Sequence, residues 1–235
     1  ALGNGADLNT PSAKPASVGM PKNWRRAMLE LGVFLTFSTV HYWLEYHTWI
    51  EDWQYELTCE DQYRRFLTTE AIRFDSNAFG VNWTHVPGGA LYYELARTNG
   101  LTWAESLLVT FGGSLFYEYV SEWREVISVN DMIVTTSGGY SLGEPWFQLS
   151  DYFHSQKSPV LKFLGFMNPF LKFNKWLDRK NPASKVYPDP GWHDFVLSAG
   201  WRRSSGAGRD ALDTGFVGLE TQIIRTPEYG RTGTL

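Results

Sequence analysis

The stretch from Asn82 to Glu144, NWTHVPGGALYYELARTNGLTWAESLLVTFGGSLFYEYVSEWREVISVNDMIVTTSGGYSLGE, decides the fold. It places polar, acidic and glycine residues inside helical periodicity. It opens with Asn82, His85, Pro87, Gly88 and Gly89, then runs through Tyr92, Tyr93 and Arg97 to Glu118 and Glu122. Buried charge is costly unless it is paired or used. The region therefore either wires helices together or builds a site.

Pro87-Gly88-Gly89 breaks the chain before a helix expected from about Ala90 to Thr98, and Asn99-Gly100 stops it. Thr102 and Glu105 form a capping box, so the next helix starts at Trp103 and is expected to reach about Glu125. Leu108, Phe111, Leu115, Tyr119 and Trp123 make its apolar side. Ser106, Thr110, Gly113, Ser114, Tyr117, Ser121 and Glu125 make the other, with Glu118 and Glu122 at the margin. A face of Ser, Thr and Gly, without the Lys and Glu of a solvated face, predicts packing against another helix.

The acidic pair then faces something. In a structural reading Arg97 pairs with Glu118 or Glu122 and orients the hairpin of helices. In a functional reading His85, Glu118 and Glu122 share a proton or hold a metal. The Glu-x-x-His repeat of carboxylate-bridged metal bundles is absent, so no metal or cofactor is expected. Ser128 caps a further helix, with Asp131 three residues on. Gly139 and Gly143 would let a neighbouring helix approach closely. Gly-Gly-Tyr-Ser-Leu-Gly-Glu lacks the Lys-Ser/Thr ending of a phosphate-binding loop.

Working outward, residues 1–22 read as a flexible lead-in, 23–181 as a helical domain, 182–191 as a Pro-rich linker and 192–235 as a strand pair. The first helix is expected from an Asn23 cap to about Trp53, buried in protein or lying at an interface, with Met28, Leu31, Leu35, Val40, Trp43 and Leu44 recurring near helical spacing and His41 and Glu45 one turn apart. Its apolar run is too short to span a bilayer. Thr58 to Phe79 reads as a short amphipathic helix and a loop at Asp75-Ser76-Asn77.

From Trp146 to Asp178, large apolar residues alternate with lysines, and Asn168-Pro169 splits the segment. A helix lying on an anionic membrane, touching it through Phe166, Phe170 and Trp176, and a core under snorkelling lysines share that pattern. After the linker the period becomes two, in runs from Phe195 to Trp201 and from about Gly215 to Arg225, separated by a turn over 204–210. Two strands cannot close a barrel, so they either pack on the helices or begin one.

Composition bounds the partners. A formal net charge of -4 and a pI near 5.8 offer no footprint for nucleic acid. The single Cys59 excludes an intramolecular disulfide. An aromatic share of 16% suits a membrane interface, a lipid or glycan groove, or a large aromatic core.

Asn82-x-x-His85-x-Pro87-x-Gly89, Tyr92-Tyr93-x-x-Ala96-Arg97-x-x-Gly100, Tyr117-Glu118-Tyr119, Glu122, Ser128-x-Asn130-Asp131, Thr135-Thr136-x-Gly138-Gly139 and Leu142-Gly143-Glu144 resemble a bacterial family of unknown function numbered 3943, over roughly Phe74 to Leu177. The chain departs from the family pattern at Val86, which separates His85 from Pro87. The resemblance implies an outer-membrane or periplasmic place, with Asn82, Tyr93, Arg97, Asn130, Asp131 and Glu144 as its polar motif. The expected whole is a mainly α, multi-helix envelope domain whose C-terminal β-hairpin reads as the start of a barrel. Its expected role is structural and non-enzymatic, with membrane lipid or an outer-membrane barrel as partner. The rival is a lipid- or glycan-processing enzyme using His85, Glu118 and Glu122.

Overall fold

A computed structural model of the chain describes residues 22–45, 54–75, 84–156, 158–178, 192–206 and 209–224. The expected lead-in, the Pro-rich linker and Asn82 lie outside the described residues. Helix α1 (Trp24–Glu45) is followed by α2 (Cys59–Leu67), β1 (Ile72–Arg73), α3 (His85–Arg97), α4 (Trp103–Phe116), β2 (Ile127–Ser128) and α5 (Val129–Gly138). Then come α6 (Glu144–Ser155), α7 (Pro159–Leu164), α8 (Pro169–Leu177), β3 (Trp192–Gly206) and β4 (Arg209–Ile224). The described chain is mainly helical with a C-terminal antiparallel hairpin, and β3 and β4 pair only with each other.

Local chemistry fixes most helix starts. The Asn23 side chain accepts from the Arg26 N–H, Thr58 caps α2 through Asp61, and Asn168 caps α8 through Leu171. Thr102 and Glu105 form the expected capping box, and Ser128 accepts from the Asp131 N–H at 3.1 Å. Gly100, with φ of 81°, turns α3 into α4, a conformation open to glycine.

Other elements depart from expectation. Helix α3 begins at His85, not near Ala90, because proline is tolerated in a first helical turn and takes up Pro87 there. The helix from Trp103 does not run regularly to Glu125: it widens into a π-helical segment, Tyr117–Ser121, and ends in turns. A second π segment, Gly139–Gly143, joins α5 to α6. A two-residue parallel pair, Ile72 with Ile127 and Arg73 with Ser128, went unseen in sequence because it is too short to show a period. The expected turn over 204–210 is mostly strand, since pairing continues to Gly206 and Arg209 beyond a bulge after Ser204.

Helix α3 sits at the centre, touching α1, α4, α5, α6 and α8. The small face predicted for α4 is the packed one: Ser106, Thr110, Gly113, Ser114 and Ser121 are buried, while Leu108, Phe111, Leu115 and Trp123 are exposed. In α1, Ala27, Leu31, Leu35 and Tyr42 face the core, whereas Met28, Val40 and Leu44 are exposed. His41 is exposed and stacks on Phe37, and its expected one-turn partner, the Glu45 side chain, lies outside the described residues.

Glycine sets the closest approaches. A Cβ on Gly139 would lie 2.8 Å from the Gly89 carbonyl oxygen and 2.7 Å from Thr110, and one on Gly143 would lie 2.8 Å from the Tyr93 ring. Gly139→Ala should therefore cost on the order of 1–3 kcal/mol in denaturant unfolding through overpacking. Gly112, with nothing within 4 Å of its added Cβ, is the control. Gly112→Ala should be neutral or stabilising by up to about 1 kcal/mol, and equal losses at both positions would refute the close-contact account.

Candidate functional site

The expected pairing of Arg97 with Glu118 or Glu122 does not occur. Arg97 at the end of α3 grips Glu144 at the start of α6, donating from Nε at 2.8 Å and Nη2 at 3.0 Å. The Tyr93 hydroxyl donates to the same carboxylate at 2.6 Å, and Gln148 donates to its other oxygen at 2.6 Å. Arg97 also lies 4.4 Å over the Phe147 ring. Burial raises the Glu144 pKa, but the bonds from Arg97, Tyr93 and Gln148 outweigh it and leave the carboxyl below its ordinary value.

The cation near Glu118 and Glu122 is instead Arg65, which is fully buried. It donates to backbone carbonyls: Glu118 at 2.7 Å, Glu122 and Glu125 at 2.8 Å, and Tyr119 at 2.9 Å. These are carbonyls where the α4 ladder unravels, so the guanidinium does the work of a C-terminal cap. No side-chain spacing signals such a contact, and sequence reasoning missed it.

His85 and Glu118 do come together. They share a cavity of about 190 Å³ with Phe34, Ser38, Tyr92 and Thr135. His85 Nδ1 lies 3.2 Å from Thr135 Oγ1, and Nε2 lies 3.9 Å from the buried Asp131 carboxylate. Ser128 organises this corner twice over: its hydroxyl caps Asp131, and its N–H donates to Glu118 at 3.0 Å. Burial pushes the Glu118 carboxyl up to about 8, against the Ser128 bond and with help from Asp131 and Glu125. At neutral pH it is a neutral acid, able to donate a proton or a hydrogen bond beside an imidazole. Glu122 is not part of the cavity lining; loss of hydration and the charge of Glu118 hold its carboxyl well above its ordinary value. Asn130, also on α5, donates to Asp75 at 3.0 Å and ties α5 to the segment after β1.

A further buried acid escaped sequence reasoning. Glu94 is fully buried, accepts a bond from Asn168 and leaves Oε1 without a partner. Burial pushes it up to about 8, with the Asn168 bond opposing. Among the described residues, no group of three or more His, Cys, Asp and Glu side chains is placed to hold a metal ion. Of the expected membrane contacts, Phe166 and Trp176 are exposed, but Phe170 is partly buried against the cluster of Leu31, Leu35 and Leu95. Its remaining surface lines a groove together with Leu29, Val33 and Phe173.

Residues 71–170 match the family described as Domain of unknown function (DUF3943). This segment is a DUF3943 domain. It holds α3 to α7 whole, and with them the His85 corner and the Arg97–Glu144 pair. No curated protein and no solved structure matches the chain.

Among the acids raised by burial, Glu94 and Glu118 give the domain a pH signature. Below about 4.5 both are protonated whether folded or not, while between 4.5 and about 8 only the unfolded chain releases the protons. Stability should thus fall as pH rises across that window, by about 1.4 kcal/mol per pH unit for each acid. Glu94→Gln should remove roughly one acid's share of the slope in urea unfolding. A stability that stays flat or rises from pH 5 to 8 in the native chain would contradict the burial of these carboxyls.

Proposed function

We propose that this chain is a non-enzymatic, structural part of a bacterial cell-envelope protein, whose helical domain meets membrane lipid or a barrel wall and whose hairpin contributes strands to an outer-membrane barrel. The observation that carries this reading is an inversion of polarity. Arg65, Glu94, Glu118, Asn99, Asn168 and Asn174 are inside, while Leu29, Val33, Phe37, Leu108 and Trp176 are outside. Water rewards the opposite arrangement; polar glue within and apolar side chains without suit an apolar medium.

The hairpin supports the same reading. Its register places Phe195, Leu197, Ala199, Trp201, Val217 and Leu219 on one face, with Thr221 and the Arg203–Asp213 pair towards its ends, and Asp194, Ser198, Arg202, Thr214, Glu220 and Gln222 on the other, together with Val196 and Phe216. Lipid-out, lumen-in strands carry that alternation, and at 15 and 16 residues these exceed the roughly 9–11 needed to cross a bilayer. No helix among the described residues is long and apolar enough to cross a membrane.

The rival reading, an envelope enzyme acting on lipid or glycan, draws on the neutral Glu118 acid facing the cavity that His85 enters. Fractionation of the cells that make the protein separates the location from its alternatives. The chain is expected in the outer-membrane fraction, with heat-modifiable mobility on gel electrophoresis. Recovery in the soluble cytoplasmic fraction would overturn the proposal, and turnover of lipid or glycan lost in a folded Glu118→Gln variant would favour the rival.

A further inference from the structure

We infer that the outer stripe of α1, together with the groove between α1 and α8, is the surface on which this domain takes the acyl chains of a phospholipid bilayer; the inference rests on the envelope reading above. Every charge in the body of α1 is turned inward. Arg26 donates to Asp178 at 2.8 and 3.1 Å, and Glu30 accepts from Asn99 at 2.7 Å and Asn174 at 3.3 Å. What faces out is Leu29, Val33, Phe37 and Leu44, exposed by 67%, 63%, 69% and 69%. The Thr36 hydroxyl on that side is satisfied within the helix, donating to the Gly32 carbonyl at 2.8 Å.

The stripe borders a groove of about 460 Å³ lined by Leu29, Val33, Phe37, Leu95, Phe170 and Phe173, with Phe34 and the hydrogen-bonded Glu30 at its wall. That size falls within the range of roughly 300–1,000 Å³ typical of ligand sites. Its walls are almost wholly hydrocarbon, which no polar solute would reward.

The ends of the stripe differ, and the difference selects a bilayer over a second copy of the chain. The bonds of Arg26 to Asp178 and of Glu30 to Asn174 show that α8 runs antiparallel to α1, so the start of α1 and the end of α8 meet. There Trp24, Arg25 and Trp176 are exposed together, a cationic and indole girdle of the kind that sits at headgroup level. From Leu29 to Leu44 the helix then rises about 22 Å, and His41 is the one His, Lys, Arg, Asp or Glu side chain exposed along it. A girdle at one end and hydrocarbon beyond it match the depth profile of a leaflet.

That gradient can be measured on the full chain carrying Cys59→Ser, with one nitroxide label in turn at Arg25→Cys, Val33→Cys, Phe37→Cys and, as control, Tyr63→Cys on the exposed side of α2. Vesicles of phosphatidylethanolamine and phosphatidylglycerol are added. Collisions with oxygen should rise, and those with an aqueous nickel chelate fall, in the order Arg25, Val33, Phe37, while the Tyr63 label stays in water. As a second variant, Leu29→Asp with Val33→Asp, both exposed positions, should lower partition into the same vesicles at least tenfold with circular dichroism unchanged.

Labels at Val33 and Phe37 that remain open to nickel on vesicle-bound protein would overturn the inference. So would labels already shielded and spin-coupled before vesicles are added, which would assign the stripe to a second copy. A chain found in the outer membrane whose α1 labels stay in water loses this inference and keeps the envelope reading. A cytoplasmic chain whose labels enter the vesicles does the reverse.

Discussion

The bidentate contact between Arg97 and Glu144 is the constraint on which the arrangement of the domain depends. The two residues are 47 apart in sequence, and the chain between them forms α4, α5 and both π segments. The cation sits in the last turn of α3, where the helix dipole favours it, and the carboxylate directly follows the π segment that joins α5 to α6. Tyr93 and Gln148 use further lone pairs of the carboxylate, so the buried charge is fully engaged. Gly143 against Tyr93, and Gly139 against Gly89, are possible only while that clamp holds α6 against α3.

The same logic governs the rest of the interior. Helices meet through Gly, Ser, Thr and Asn, and affinity comes from hydrogen bonds in a medium where leaving them unmade is costly. Arg65 closes the frayed end of α4, Lys175 meets Asp151 at 2.5 Å, and Asn174 links Thr98 to Glu30. Apolar side chains are thereby released from core duty, and Phe37, Leu108 and Trp176 can face outward. The cavity holding His85 and Glu118 is a product of this construction: a polar interior that is not everywhere filled.

Features written in neighbouring residues were legible from sequence. The caps at Asn23, Thr102 and Ser128, the stop at Gly100 and the packed Ser/Thr/Gly face of α4 depend on spacings within one or two turns. The functional reading already brought His85 and Glu118 together, whereas the proximity of Tyr93, Arg97 and Glu144 was anticipated only as membership of one motif. The partner of Arg97 was misassigned because Glu118 and Glu122 are nearer in sequence, and chain distance carries no information about which carboxylate a helix packing brings close. Arg65 was invisible because its acceptors are carbonyls, which every residue has. Which of the apolar residues of α1 turn outward, Met28, Val40 and Leu44 among them, could not be read because an apolar residue at helical spacing looks the same inside and outside.

The central claim, that the Arg97–Glu144 pair fixes the helices, is tested most directly by a double-mutant cycle with Arg97→Met and Glu144→Gln, read by equilibrium unfolding. The account predicts that each single change costs on the order of 3 kcal/mol, since each strands a buried partner. It also predicts that the double variant recovers at least about 1.5 kcal/mol relative to the sum of the two. Losses that add, with a coupling below about 0.5 kcal/mol, would show that the contact follows from the packing and does not hold it.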